Sequence, residues 1–161
     1  MDRYRCTALR ELKDQQVRFA PLDKRLEQIA RAEGLLSEIE PDRHYPYEYV
    51  CFRVTGYRPE GQSGLVLEGA DLQHDLGTFI EDVSASTRIE ATAASEPVWT
   101  VEELSRSLKV SSKTIARWRD RGLVSRRFMV GGRMRLGFLK SSVDRFVAQN
   151  GQQVDRGTRF N

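Results

Sequence analysis

The chain of 161 residues has little of what most enzymes need. Its two cysteines, Cys6 and Cys51, lie far apart and match no zinc-ligand spacing, so the expected state is a pair of reduced thiols, and a disulfide has no support. Its two histidines, His44 and His74, have no Cys or carboxylate near them at ligand or triad spacing. Acidic pairs such as Glu81-Asp82 are adjacent and diverge on a helix, so they cannot share a site. No GxxxxGK phosphate loop is present, since Gly131-Gly132 lacks the pattern. These absences argue against catalysis, a bound metal and a cofactor. No run approaches the roughly 20 apolar residues of a membrane span. The first residues, MDRYRCTALRELKD, are too charged for a secretory signal, so a soluble cytoplasmic protein away from membranes is expected.

Charge is present, and unevenly. From Trp99 onward there are 14 Lys and Arg against 5 Asp and Glu, while the residues before it hold 12 against 18. A net charge of +3 thus hides an acidic piece and a basic one, and the basic piece favours a polyanion partner.

In the acidic piece, residues 7–18 have helix-forming composition, with Leu9, Leu12 and Val17 on a loose apolar stripe. Leu22, Leu26, Ile29, Leu36 and Ile39 recur at helical spacing between Pro21 and Pro41. The segment YPYEYVCFRVTGYRP fits both periods, with Tyr47, Val50, Cys51 and Val54 helical and Val50, Phe52 and Val54 alternating. Pro46 at the first helical position, Gly56 past the end and Pro59 as a stop favour a helix. Its aromatics, Tyr45, Tyr47, Tyr49, Phe52 and Tyr57, are expected in the core, because acidic surroundings would repel the phosphates of a stacked single strand. Residues 60–69 are expected as a loop, and Leu72, Leu76, Phe79, Ile80 and Val83 return to helical period over 70–83. A small helical domain over 1–83 follows. The small, polar, unpatterned stretch 84–98 is expected as a linker.

In the basic piece, Thr100 and Glu103 form a capping box at the start of a short helix with Val101, Leu104 and Leu108 on one face. Val110 lies in a turn, and Ser111 or Ser112 caps a second helix whose Ile115 and Trp118 point inward. Trp118 could stack on a base, but at this spacing a core role is favoured. Ser112, Lys113, Thr114, Arg117, Arg119 and Arg121 are then left facing out, where a helix in a major groove reads base edges and phosphates. Gly122 ends the helix. Two runs, 125–130 and 133–138, joined by Gly131-Gly132, predict a hairpin apolar on one face and basic on the other, Phe128 and Val130 alternating with Arg127 and Met129, and Arg133 and Arg135 with Met134 and Leu136. Arg126, Arg127, Arg133 and Arg135 are its candidate phosphate contacts. Ser141 or Ser142 caps a last helix through Val143, Phe146 and Val147 that packs back on the first, and a polar mobile tail follows at 151–161.

This order of helix, turn, helix ending in ARWRDRGL, basic hairpin and helix over 99–150 resembles the winged helix-turn-helix of the MerR and excisionase-like group. Lys113-Thr114-Ile115, Arg117-Trp118, Gly122-Leu123 and Gly131-Gly132-Arg133 carry the likeness, which covers about a third of the chain. It departs at Met134, Leu136 and Gly137, where that group more often shows a second basic residue and an Arg-Tyr pair, with Phe138 as the candidate aromatic. More widely, VRFAPLDKRLEQIARAEGLLSEI, YPYEYVCFRVTGYRP, DLQHDLGTFIEDVS and VEELSRSLKVSSKTIARWRDRGLVSRRF resemble the N-terminal region of certain large bacterial sigma-70-family proteins, although no polymerase-binding sigma core is visible. The resemblances imply a mainly α protein, a helical domain followed by a winged helix-turn-helix with a short β-hairpin, that binds double-stranded DNA in bacterial transcription, with RNA polymerase core as a second candidate partner. Lys113, Thr114 and Arg117 would read bases, and Arg119, Arg121, Arg126, Arg127, Arg133 and Arg135 would neutralise phosphates. A stand-alone regulator or recombination accessory factor, and a protein-interaction adaptor without DNA binding, are the alternatives. Oligomeric state has no sequence signal.

Overall fold

Residues 3–151 are described by a computed structural model, in which seven α-helices and two small sheets form two compact units divided between Thr87 and Arg88. The tail expected from 151 lies, Gly151 apart, outside the described residues.

The first unit runs α1 (Thr7–Phe19), α2 (Leu22–Leu36), β1 (His44–Pro46), α3 (Tyr47–Thr55), β2 (Val66–Glu68) and α4 (Gly69–Thr87). Its core joins Ile29 and Leu36 of the stripe read from the sequence, and Leu35 beside them, on α2 with Leu72, Leu76, Phe79, Ile80 and Val83 of α4. Burial on this scale is the main stabilising term. The stripe is not buried throughout, since Leu22 and Leu26 at the start of α2 stay exposed. The ambiguous segment is a helix, α3, closed by Gly56 in the left-handed region (φ +83°), with Pro46 one place earlier than expected, as the residue preceding the helix. The aromatics of this segment are not core residues. Tyr49 and Tyr57 are exposed and Tyr45, Tyr47 and Phe52 half-buried, because the helix turns Val50, Cys51 and Val54 inward instead.

The expected loop at 60–69 ends in a strand that pairs antiparallel with β1, His44 opposite Glu68 and Pro46 opposite Val66. Three-residue strands are too short to show a period. Beside this pair α4 begins at Gly69, where a Cβ would stand 2.0 Å from the Glu40 carbonyl oxygen, so only glycine fits. The N-terminal residues are tied to α4 by its carboxylates. Asp75, wholly buried, accepts the Arg5 and Cys6 backbone N–H groups at 2.8 Å each, and Asp82 accepts the Tyr4 hydroxyl at 2.9 Å and pairs with Arg3.

The second unit contains β3 (Val98–Trp99), α5 (Val101–Leu108), α6 (Ser112–Arg119), β4 (Arg126–Val130), β5 (Arg133–Leu139) and α7 (Lys140–Gln149), with strand order β3-β5-β4. Its core gathers Leu104, Val110, Ile115, Trp118, Leu123, Phe138, Val143 and Phe146. The 84–98 stretch expected as a linker is ordered structure. Residues 84–87 complete α4, a 3-10 turn forms at Ala91–Ala93, Met129 donates its N–H to the Ile89 carbonyl, and β3 pairs with β5. Small polar residues hid these bonds because backbone groups make most of them. The cap expected on α7 from Ser141 or Ser142 is absent too. Glu96 does that work from a distance, accepting the Ser141 N–H at 2.6 Å and its hydroxyl at 2.8 Å.

Candidate nucleic-acid interface

The capping box opens α5 as expected, with Thr100 Oγ1 accepting the Glu103 N–H at 3.2 Å and Glu103 Oε1 accepting the Thr100 N–H at 3.1 Å. The turn after α5 is locked to it. Val110 gives its N–H to the Ser105 carbonyl at 3.1 Å, receives the Ser105 hydroxyl on its own carbonyl, and buries its side chain. Lys109, just before it, has left-handed backbone (φ +56°) that L-residues adopt at a cost. It is exposed, a cation that the spacing of the second helix does not point to. A charged residue between two amphipathic periods was the available signal.

Ser111 caps α6 by accepting the Thr114 N–H at 3.2 Å, and Ser112 is the first helical residue. Ile115 and Trp118 point into the core, Trp118 against Phe146 with ring centroids 5.7 Å apart, so Trp118 is a packing residue with no face free for a base. Lys113 and Arg117, four apart, are exposed on one side of the helix.

Two residues expected on that surface stand elsewhere. Thr114 is only 2% exposed, turned inward so that its hydroxyl meets Ser111 Oγ at 3.1 Å and receives a hydrogen bond from Arg117 Nη2 at 3.1 Å. It cannot touch a base. Helical period alone put it outward; the hydroxyl partner at the cap draws it in. Arg119 is half-buried and donates to the hydroxyl of buried Ser125 at 3.2 Å. Arg121 is exposed but lies past the end of α6, in the turn that Gly122 (φ +109°) carries into the hairpin.

The hairpin forms around Gly131 (φ +57°) and Gly132 (φ +80°), positive at both turn positions as a two-residue hairpin requires. Its faces differ from expectation. Val130 pairs with Arg133 and Phe128 with Arg135, so both arginines share the face of Phe128, Val130 and Arg126, while Arg127 shares the other with Met129, Met134 and Leu136. A two-residue turn sets this parity, and counting across it would have shown it. Each face is therefore mixed. Arg133 and Arg135 are exposed, whereas Arg126 and Arg127 are half-buried. Gly137 carries no side chain because the Phe128 ring and Val98 close over it, at 2.7 and 2.6 Å from where a Cβ would be.

Lys113, Arg117, Arg121, Arg133 and Arg135 are exposed and make no ion pair among the described residues, so each presents unneutralised positive charge. Burial pushes the Cys6 thiol up to about 12, helped by Asp75, and burial raises that of Cys51, so neither supplies a thiolate near neutral pH. No group of three or more His, Cys, Asp or Glu able to hold a metal ion occurs among the described residues, and none of their helices is long and apolar enough to cross a membrane. No protein-family model, curated protein or solved structure matches the chain.

Proposed function

We propose that the second unit binds double-stranded DNA as a winged helix-turn-helix, with α6 in the major groove and the β4–β5 hairpin as its wing, and that the protein acts in bacterial transcription. One arrangement carries this reading: Lys113 and Arg117 stand exposed, without ion-pair partners among the described residues, on the side of α6 left free when Ile115 and Trp118 are buried. Lys and Arg donors at that position meet guanine O6 and N7 in a major groove, and the N-terminal residues of such a helix enter first. Arg121, Arg133 and Arg135 then neutralise phosphates, with the half-buried Arg119, Arg126 and Arg127 contributing what their protein contacts leave free. The resemblance of nearly the whole chain to the N-terminal region of sigma-70-family proteins is what favours a setting beside RNA polymerase core.

The test is affinity for a duplex against salt. With about six phosphates contacted, log K against log salt slopes near −5, whereas a response flat in salt rejects DNA binding and leaves the adaptor role. Selection of duplexes from a random pool, run beside retention on immobilised RNA polymerase core, separates a free-standing regulator from a polymerase-associated one.

A further inference from the structure

The geometry points to Thr114 as a positioning residue that aims Arg117 at its base pair, an inference that rests on the DNA-binding reading above. Arg117 is exposed and its side chain has several rotatable bonds, so holding it in one pose for recognition costs conformational entropy. In the free protein part of that ordering is already done. Nη2 of Arg117 donates at 3.1 Å to the Thr114 hydroxyl, whose side chain is nearly fully buried and, being β-branched, is restricted at χ1 in a helix. The same hydroxyl lies 3.1 Å from Ser111 Oγ, and Ser111 Oγ accepts the Thr114 N–H, so the anchor for Arg117 is built into the helix cap. Spacing of three residues brings the two side chains together on the helix surface. The bond uses one of the five guanidinium N–H groups, which leaves enough for the two-pronged contact that guanine offers.

Thr114 thus acts through Arg117 without contacting DNA. Two variants separate this role from packing. Thr114→Val keeps the shape and loses the hydroxyl, and Thr114→Ser keeps the hydroxyl and loses a methyl group. The probe is the duplex selected by the wild-type chain, with each base pair changed in turn, beside an unrelated duplex of equal length.

Thr114→Val is expected to reduce discrimination by up to about tenfold, the size of the ordering cost of one long side chain, at the base pair that Arg117→Ala also flattens. Thr114→Ser is expected to restore it. Full discrimination in Thr114→Val overturns the inference, as does a loss spread evenly over every position and the unrelated duplex, which is the mark of a merely structural residue. Should Arg117→Ala leave all positions unaltered in a wild-type background that binds one sequence, Thr114 has nothing to aim and the inference fails while DNA binding stands. A wild-type chain that binds no duplex fails the broader reading instead.

Discussion

In the first unit Arg25 donates to the Ser86 carbonyl and hydroxyl, Arg31 to the carbonyls of Phe52 and Arg53 at the end of α3, and Arg53 pairs with Glu38 and bonds Tyr49. Arg3, Arg5 and Arg43 likewise pair with carboxylates, whereas in the second unit Lys113, Arg117, Arg121, Arg133 and Arg135 make no ion pair among the described residues. The first unit spends its cations on its own fold. The second leaves a set of them exposed. Surface ion pairs are individually worth little, so the difference bears less on stability than on what each surface attracts.

Three substitutions sharpen or break this contrast. The largest effect is expected from Asp75→Ala, which leaves the backbone N–H groups of Arg5 and Cys6 without an acceptor and should cost the first unit about 3 kcal/mol in denaturant unfolding. A loss within the error of the measurement would show that internal pairing does not hold this unit together. Lys109→Gly relieves left-handed backbone and should stabilise the second unit by about 1 kcal/mol while weakening duplex binding. Stability and affinity moving in the same direction would remove Lys109 from the DNA surface. The smallest stability effect is expected from Arg133→Gln, within about 0.5 kcal/mol. Its duplex affinity should fall, and the salt slope should shrink by about 1, on every sequence alike. A clear loss of stability would mean that this arginine serves the fold after all.

Much of the fold was legible where one period dominates. Leu72, Leu76, Phe79, Ile80 and Val83 declare the buried face of α4, Thr100 and Glu103 declare a helix start, and Gly131-Gly132 declares a hairpin turn, because each is a local preference that tertiary contacts reinforce. What stayed hidden depends on partners distant in sequence. Nothing around Asp75 announces that its carboxylate will hold the backbone of residues 5 and 6, and nothing around Glu96 announces that it will cap α7. At the candidate interface, Lys113 and Arg117 stand on the surface as their spacing predicts, while Thr114, between them in sequence, turns inward to Ser111. A hydroxyl has two ways to be satisfied near a helix start, by solvent or by the cap, and periodicity does not choose between them.

The bonds made by the residues before Trp99 bear on where a minimal fragment of the second unit can be cut. Composition invites a cut at Trp99, where basic sequence begins. Such a piece would forfeit the Glu96 carboxylate at the head of α7, the Pro97 carbonyl that receives the Lys140 N–H, and the Ile89 carbonyl that receives the N–H of Met129 in the hairpin. The border of the basic module is thus set by hydrogen-bond acceptors carried on acidic and neutral residues, and a fragment meant to keep its hairpin and last helix in order begins at Arg88.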